Sequence, residues 1–356
     1  MSIDTPEDLR DHVRTAIGVE LATIPPYLYA MYSIADPAST AARYIRSVVT
    51  EEMLHAVLMA NVLLAIGGEP RFYDPAVVPG YPMVYPHRVP ALQLHLAPCS
   101  ADVVATFVAI EQPHPAGSPA QEDDFTTLGQ FYAALECALV RLDGAVGLFG
   151  SPQIDRQFLD PSGYLAVKFD QAASGGLVAV DGLEAALRAT EVAIHQGEGL
   201  SDVRYADPGH RELTHHAKFG ALADGTVPVG RVLPAVTDPT VASMPEHVVP
   251  LARLCNAVYS YTFVLLDRVV AAGRSEADHH RVVGALYGSM VALLGPLCRA
   301  LMALPTGDGR VWGPSFELHR FDDAACAGDE IRAMAPLVVE QHDGLAPVLR
   351  HLPRLP

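Results

Sequence analysis

The sequence predicts an all-α fold: a four-helix bundle with long loops and an additional C-terminal helical subdomain. Three observations carry that reading. Apolar residues recur at helical spacing along most of the chain, cap and turn residues punctuate them, and acidic or imidazole side chains interrupt the apolar stripes at matched positions.

The first helix is expected at about 6–34. Thr5 precedes Pro6 in an N-cap pattern, and Leu9, Val13, Ile17, Leu21, Ile24 and Leu28 follow at helical spacing. Asp36-Pro37 makes a turn. A second helix at about 39–66 carries Tyr44, Val48, Met59, Val62 and Ile66 before Gly67-Gly68 ends it. Two long helices joined by so short a turn lie antiparallel.

From Glu69 to Ala97 the chain is dense in proline and aromatic residues, which forbids a helix and predicts an ordered loop wrapped over the bundle. Helical periodicity returns at about 101–111, 123–149, 181–198 and 208–223, and again at about 246–273, 276–304 and 322–351. No repeat of fixed period is visible. The expected division is a metal-binding bundle with inserted loops over 1–235 and a C-terminal helical subdomain over 240–356 packed on it.

At 356 residues the chain can bury a large core without a metal or disulfide staple, since domains run to roughly 100–200 residues. Half its residues are hydrophobic and 18% are charged, the pattern of a globular protein, with 29 prolines implying ordered loops. A net charge of −17 without any Lys/Arg block argues against nucleic acid or an anionic membrane surface as partner. Cys99, Cys137, Cys255, Cys298 and Cys326 show no CxxC spacing and no disulfide framework, which fits a reducing cytoplasm. The acidic N-terminal segment does not read as a secretory signal, and charges or prolines interrupt each apolar run before the ~18–20 residues needed to cross a bilayer. A cytoplasmic protein with no membrane span is expected, with homo-oligomerisation left open.

An inner helical stripe should be apolar, so carboxylates and imidazoles on it need partners. Glu20 falls on the buried line between Ile17 and Ile24, and Glu52 and His55, three apart, continue the stripe from Val48 to Met59. Glu212 and His215 repeat the Glu-x-x-His spacing ahead of Phe219 and Leu222, and Glu198 closes a line running Leu183, Leu187, Glu191, Ile194, with His195 beside it. Glu20 and Glu52 each lie about sixteen residues from Asp36, and Glu198 and Glu212 about seven from their own connection, so antiparallel pairing brings each pair to one level. Glu, Glu-x-x-His, Glu and Glu-x-x-His is the ligand set of dinuclear carboxylate bundles, and its hard oxygens suit iron or manganese better than a thiolate-type zinc site.

The candidate metal ligands are therefore Glu20, Glu52, His55, Glu198, Glu212 and His215, with Glu111, Glu191 and His195 as further candidates. Glu51 is the weaker alternative to Glu52, His216 a neighbour of the ligand, and His12 a solvent-exposed end residue. Met53, Met59 and Tyr132 read as packing.

Several segments together resemble the ferritin-like domain of the iminophenyl-pyruvate dimer synthases, the group that couples oxidised tryptophan units in violacein and rebeccamycin biosynthesis. They are VELATIPPYLYAMYSI, VVTEEMLHAVLMANVLLAIGG, the VPGYPMVYP loop, FVAIEQP, the HQGEG ending and ELTHHAKF, with MVALLGPLCRALMALP and GPSFE beyond them. The resemblance extends over most of residues 5–350, and by it the six principal candidates match metal-binding positions. His195 departs from it, standing where an acid is usual, and so does Gln130, where a Glu is usual. The chain is also much shorter than the full-length coupling enzymes.

The expectation is a metal-dependent oxidase or oxygenase of specialised metabolism. Two iron ions, or manganese in their place, would act with dioxygen or peroxide on a small amino-acid-derived or imine substrate, beneath a Pro/Tyr loop at about 71–90. The competing readings are an iron-handling protein, for storage or ferroxidase work, and a non-catalytic scaffold.

Overall fold

Helix α1 (Pro6–Ser33) starts where the cap signal places it: the Thr5 hydroxyl accepts from the Asp8 backbone, and the Asp8 carboxylate accepts from the Thr5 N–H. The chain, seen in a computed structural model that describes residues 2–115, 117–159, 176–197 and 213–352, continues α1 straight through Pro25 and Pro26. Pro26 cannot donate to the Ala22 carbonyl, and the Tyr81 hydroxyl does so instead at 2.7 Å. The proline-rich loop thus docks on the defect that the prolines make in α1.

Ser39 caps α2 (Thr40–Ala65), and Gly67, at φ 76°, ends it by letting the Gly68 N–H turn back to the Leu63 carbonyl at 2.8 Å. In the loop that follows, Met83–Val84 (β1) and Gln93–Leu94 (β2) pair antiparallel. Next come α3 (Ala101–Ile110), α4 (Leu128–Val146) and α5 (Leu183–Gly197), the first two capped by Ser100 and Thr127. Helices α1, α2, α5 and α4 pack in that cyclic order as the four-helix bundle, and α3 packs beside α6 (His215–Ala223), which also contacts α2.

Helix α6 begins later than its periodicity suggests. Thr214 is its N-cap and accepts from the Ala217 N–H, so Leu213 and Thr214 are not helical. His215 is thus the first residue of α6, and Glu212, which the Glu-x-x-His spacing pairs with it, lies outside the described residues.

The C-terminal third supplies α7 (Val249–Val269), α8 (Glu276–Tyr287), α9 (Gly295–Leu301), α10 (Ala327–Gln341) and α11 (Ala346–Leu349). A π-helical turn, Gly288–Leu294, joins α8 to α9. Its cause is Pro296, which cannot donate in register, while the Gly295 N–H reaches back five residues to the Met290 carbonyl. Buried apolar residues from the bundle and from these helices form one continuous cluster.

Among the described residues three helices are, by length and composition, apolar enough to cross a membrane: Thr40–Ala65, Val249–Val269 and the α8–α9 rod Glu276–Leu301. That corrects the expectation that no segment would qualify. The first two bury 94% and 78% of their most apolar window inside the fold, whereas the third buries 44%. The five cysteines are free, and Cys255 and Cys298 meet in the core with sulfurs 3.6 Å apart.

The C-terminal segment is keyed to α1 at Gly313, where an added Cβ would overlap the Tyr29 ring and hydroxyl; that hydroxyl donates to the Val236 carbonyl. Gly313→Ala is expected to cost about 1–3 kcal/mol through overpacking. The check is a lower urea midpoint with an unchanged slope.

Candidate metal centre

The bundle interior collects Glu20 from α1, Glu52 and His55 from α2, Glu111 from the C-cap of α3 and His215 from the first position of α6. All are at most 2% exposed. They form two groups of donors, Glu20–Glu52–His55 and Glu52–Glu111–His215, each with one atom per residue inside a 4.8 Å span. Glu52 belongs to both. The His55 and His215 rings stack with centroids 5.4 Å apart.

Each imidazole is held from behind. The His55 Nε2–H donates to Gln196 Oε1 at 2.8 Å, which turns Nδ1 toward Glu20 (3.5 Å) and Glu52 (3.8 Å). The His215 Nε2–H donates to Glu51 Oε2 at 3.0 Å, which turns Nδ1 toward Glu52 (2.9 Å) and Glu111 (3.3 Å). An acceptor behind a ligating histidine fixes its tautomer and raises its basicity. The buried Lys218 ammonium also donates to Glu51 Oε2, at 2.8 Å.

Hydroxyls orient the carboxylates. Thr23 donates to Glu52 Oε2 at 2.7 Å, Tyr27 to Glu111 Oε1 at 2.6 Å, and Tyr132 to Glu20 Oε1. Tyr85, carried in by the turn between β1 and β2, is 1% exposed, and its hydroxyl has no hydrogen-bond partner among the described residues. Burial and the nearby Glu20, Glu111 and Glu52 hold that phenol well above its ordinary range. A void of about 10 Å³ lies between the donors and the walls of Leu128, Gly129, Ala193, Ile194 and Gly197.

Three carboxylates so close together in a dry site repel one another. Burial first, then Glu111 and Glu20, push the Glu52 carboxyl up to about 8. Burial also lifts Glu20, but His55 outweighs it and holds Glu20 below its usual range. Burial disfavours the His215 imidazolium, yet Glu111, Glu51 and Glu52 more than offset that and raise it well above the ordinary value. The His215 Nδ1, although surrounded by carboxylate oxygens, makes no hydrogen bond of acceptable geometry. A cation between these atoms relieves both the repulsion and the orphaned nitrogen, so the residues fit a metal ion.

The structure thus brings together Glu20, Glu52, His55 and His215 of the principal candidates, and Glu111 of the further ones. Glu198 and Glu212 lie outside the described residues. Glu191 is half-buried and His195 buried on α5, and neither joins the two donor groups among the described residues. Gln130 donates from Nε2 to the Pro119 carbonyl at 3.0 Å, a bond that a carboxylate could not make. His12 is buried rather than exposed, hydrogen-bonded to the Asp8 carbonyl and stacked on Phe131.

Glu51 is not an alternative to Glu52 but the support of His215, and Tyr132 is not mere packing. Gln196, Lys218, Tyr27 and Tyr85 were invisible to spacing arguments. The only sequence signal for them was a polar or hydroxyl group on a segment that had to be buried.

Comparison with known proteins agrees with this architecture. A 2-imino-3-(indol-3-yl)propanoate dimerase of Chromobacterium violaceum is 26% identical over 394 aligned residues, covering 97% of this chain and 38% of that protein. A dichlorochromopyrrolate synthase of Lentzea aerocolonigenes is 24% identical, covering 89% of this chain and 36% of that protein. The chain therefore spans little more than a third of the length of these relatives. A ferritin-like protein from Caulobacter vibrioides, known from its crystal structure, superposes with a TM-score of 0.62 at 25% identity, covering 88% of this chain and 100% of the other. A ferritin-like family model matches residues 13–224, well over half the chain and the whole span that builds the donor groups, and the chain belongs to that family.

Proposed function

We propose that the chain is a metal-dependent oxidase or oxygenase acting on a small amino-acid-derived imine, with a dinuclear site for iron, or for manganese in its place. The observation that carries this reading is the sharing of Glu52 between two three-residue donor groups. One ion would be held by Glu20, Glu52 and His55 and the other by Glu52, Glu111 and His215. When bound, such a pair supplies redox chemistry with dioxygen or peroxide.

The protein's own part is positioning and exclusion. Gln196 and Glu51 keep both imidazoles in the tautomer that presents Nδ1 inward, and Thr23, Tyr27 and Tyr132 hold the carboxylates in place. Lys218 offsets charge behind His215. Apolar walls keep bulk water from the donors, which strengthens every charge interaction among them. The substrate class follows the relatives, one named for dimerising an indole-bearing imine and the other for making dichlorochromopyrrolate.

The test is anaerobic loading with Fe(II) or Mn(II), followed by metal analysis and then oxygen uptake, in excess of that of the generating enzyme alone, with 2-imino-3-(indol-3-yl)propanoate made in situ by an amino-acid oxidase. Two ions per chain and uptake that needs both metal and imine are expected. Failure to take up either metal in stoichiometric amount, or uptake indifferent to the imine, would sink the proposal.

A further inference from the structure

Helices α1 and α2 carry a second apolar face, turned away from the donor groups. Leu21, Ile24, Leu28 and Met31 on α1 and Val49, Met53 and Val57 on α2 oppose Tyr259, Phe263, Met290 and Val291 of α7 and the π turn across a cavity of about 450 Å³. That volume lies within the range of roughly 300–1,000 Å³ typical of small-molecule sites. Among the described residues, the donor void and this cavity have no lining residue in common.

Three features of the wall point to a ligand. First, among the described residues that line it, the only charged side chains are Arg46 and Arg299, in a protein where 41 acids outnumber 24 Lys and Arg. Neither guanidinium has a carboxylate partner among the described residues; Arg46 reaches the Pro37 carbonyl, and Arg299 lies over the Tyr32 ring at 5.2 Å. Both act on the same phenol, since burial drives Tyr32 up while Arg299 and Arg46 pull it back.

Second, the Tyr259 hydroxyl is buried with no hydrogen-bond partner among the described residues. A buried polar atom left unpaired is destabilising unless something occupies its free valence. Third, the π turn that Pro296 imposes lends Met290, Val291 and Leu294 to the wall, and Val291 is 59% exposed there. Turns of this kind are frequent at functional sites. Gly295 keeps the wall clear beside Tyr32, because a Cβ there would come within 3.3 Å of the phenol oxygen.

We propose that this cavity is a second binding site, separate from the metal centre, for an amphipathic monocarboxylate. Its apolar body lies among the Leu, Met and Phe side chains, and its carboxylate is held by Arg46 and Arg299. Guanidinium–carboxylate hydrogen bonds select the anion over an alcohol or a cation of the same body. The carboxylate can come from an alkyl-chain acid or from an aryl acid.

Titration of the whole protein with 1-anilinonaphthalene-8-sulfonate, followed by fluorescence, tests this. One probe per chain is expected, displaced by dodecanoate or by naphthalene-1-acetate, with the better competitor identifying the chain or the aryl source. Dodecanol and dodecyltrimethylammonium should compete roughly tenfold more weakly. Arg46→Gln and Arg299→Gln should each weaken the carboxylate roughly tenfold and leave dodecanol unchanged, with metal content preserved. Met290→Trp should abolish probe binding by filling the cavity, while its helical circular dichroism and cooperative melting show it folded. Equal competition by the alcohol or the cation, indifference to both arginine variants, no binding at all, or several probes per chain persisting in Met290→Trp would each overturn the proposal.

Discussion

Glu52→Gln is expected to lower the metal content to half or less of the wild-type value and to reverse the order of stability between the metal-free and metal-loaded proteins. Glu52 is the one residue common to both donor groups, and an amide is a poor replacement for a carboxylate that serves two sites. Without metal, however, that carboxylate is a burden. Burial, with Glu111 and Glu20 beside it, holds it near 8, against 4.5 for the ordinary group.

Between those values the folded state keeps a proton that the unfolded chain releases, so metal-free stability falls as pH rises through this window. His215 works in the same direction. Its folded value is raised, so the stability of its imidazolium is complete below the ordinary 6.5 and is lost as pH climbs toward the folded value. Metal-free wild type should therefore melt progressively lower from about pH 5 to pH 8, while metal-free Glu52→Gln follows a flatter course and melts higher than wild type at pH 8.

Adding Fe(II) or Mn(II) at pH 8 should invert that order. A ligand at about 100 times its dissociation constant adds about 2.7 kcal/mol to the protein that binds it and nothing to one that does not. Calorimetry at several pH values, with and without metal, reads both effects. Unchanged metal content in the variant, or a wild-type melting point indifferent to pH without metal, would show that Glu52 is not the shared carboxylate.

Lys218→Met carries the largest expected loss of stability. Lys218 and Glu51 are 4% and 1% exposed, and the ammonium donates to the oxygen that also receives the His215 Nε2–H. Removing one partner of a buried ion pair leaves the other desolvated and costs about 3–5 kcal/mol. Replacing both with apolar residues of similar size is often nearly neutral, so Lys218→Met/Glu51→Met should recover more than half of the loss. The double variant should nonetheless bind metal more weakly, because His215 loses the acceptor that orients it. Urea denaturation separates these effects, and equal destabilisation in the single and double variants would count against the pair.

Much of the scaffold was legible because helices announce themselves locally. The Thr5 cap, the Asp36-Pro37 turn, the Gly67 stop and the apolar spacing between them place α1 and α2 within a residue or two of their observed bounds. Glu52 and His55 were equally readable, since two residues three apart on one helix share a face whatever surrounds them. At His215 the same rule covers only the residues that follow, since Thr214 caps α6 there and Glu212 lies outside the described residues. Glu111 stayed open for a related reason: a C-cap position says where a helix ends, not which way its last side chain turns.

What sequence alone settled here is the part of the site that rests on short-range geometry: two capped helices, their antiparallel turn, and carboxylate and imidazole groups on an otherwise apolar stripe. The tertiary structure decided the rest. It placed Glu111 and His215 beside Glu52, set Glu51 behind His215 rather than among the donors, and gave Tyr132 a carboxylate partner. Those outcomes depend on contacts far apart in the chain, such as Tyr27 with Glu111, 84 positions apart, and Glu51 with His215, 164 apart. Helical periodicity reports only which face of each helix is buried; which groups meet on that face follows from how the helices pack.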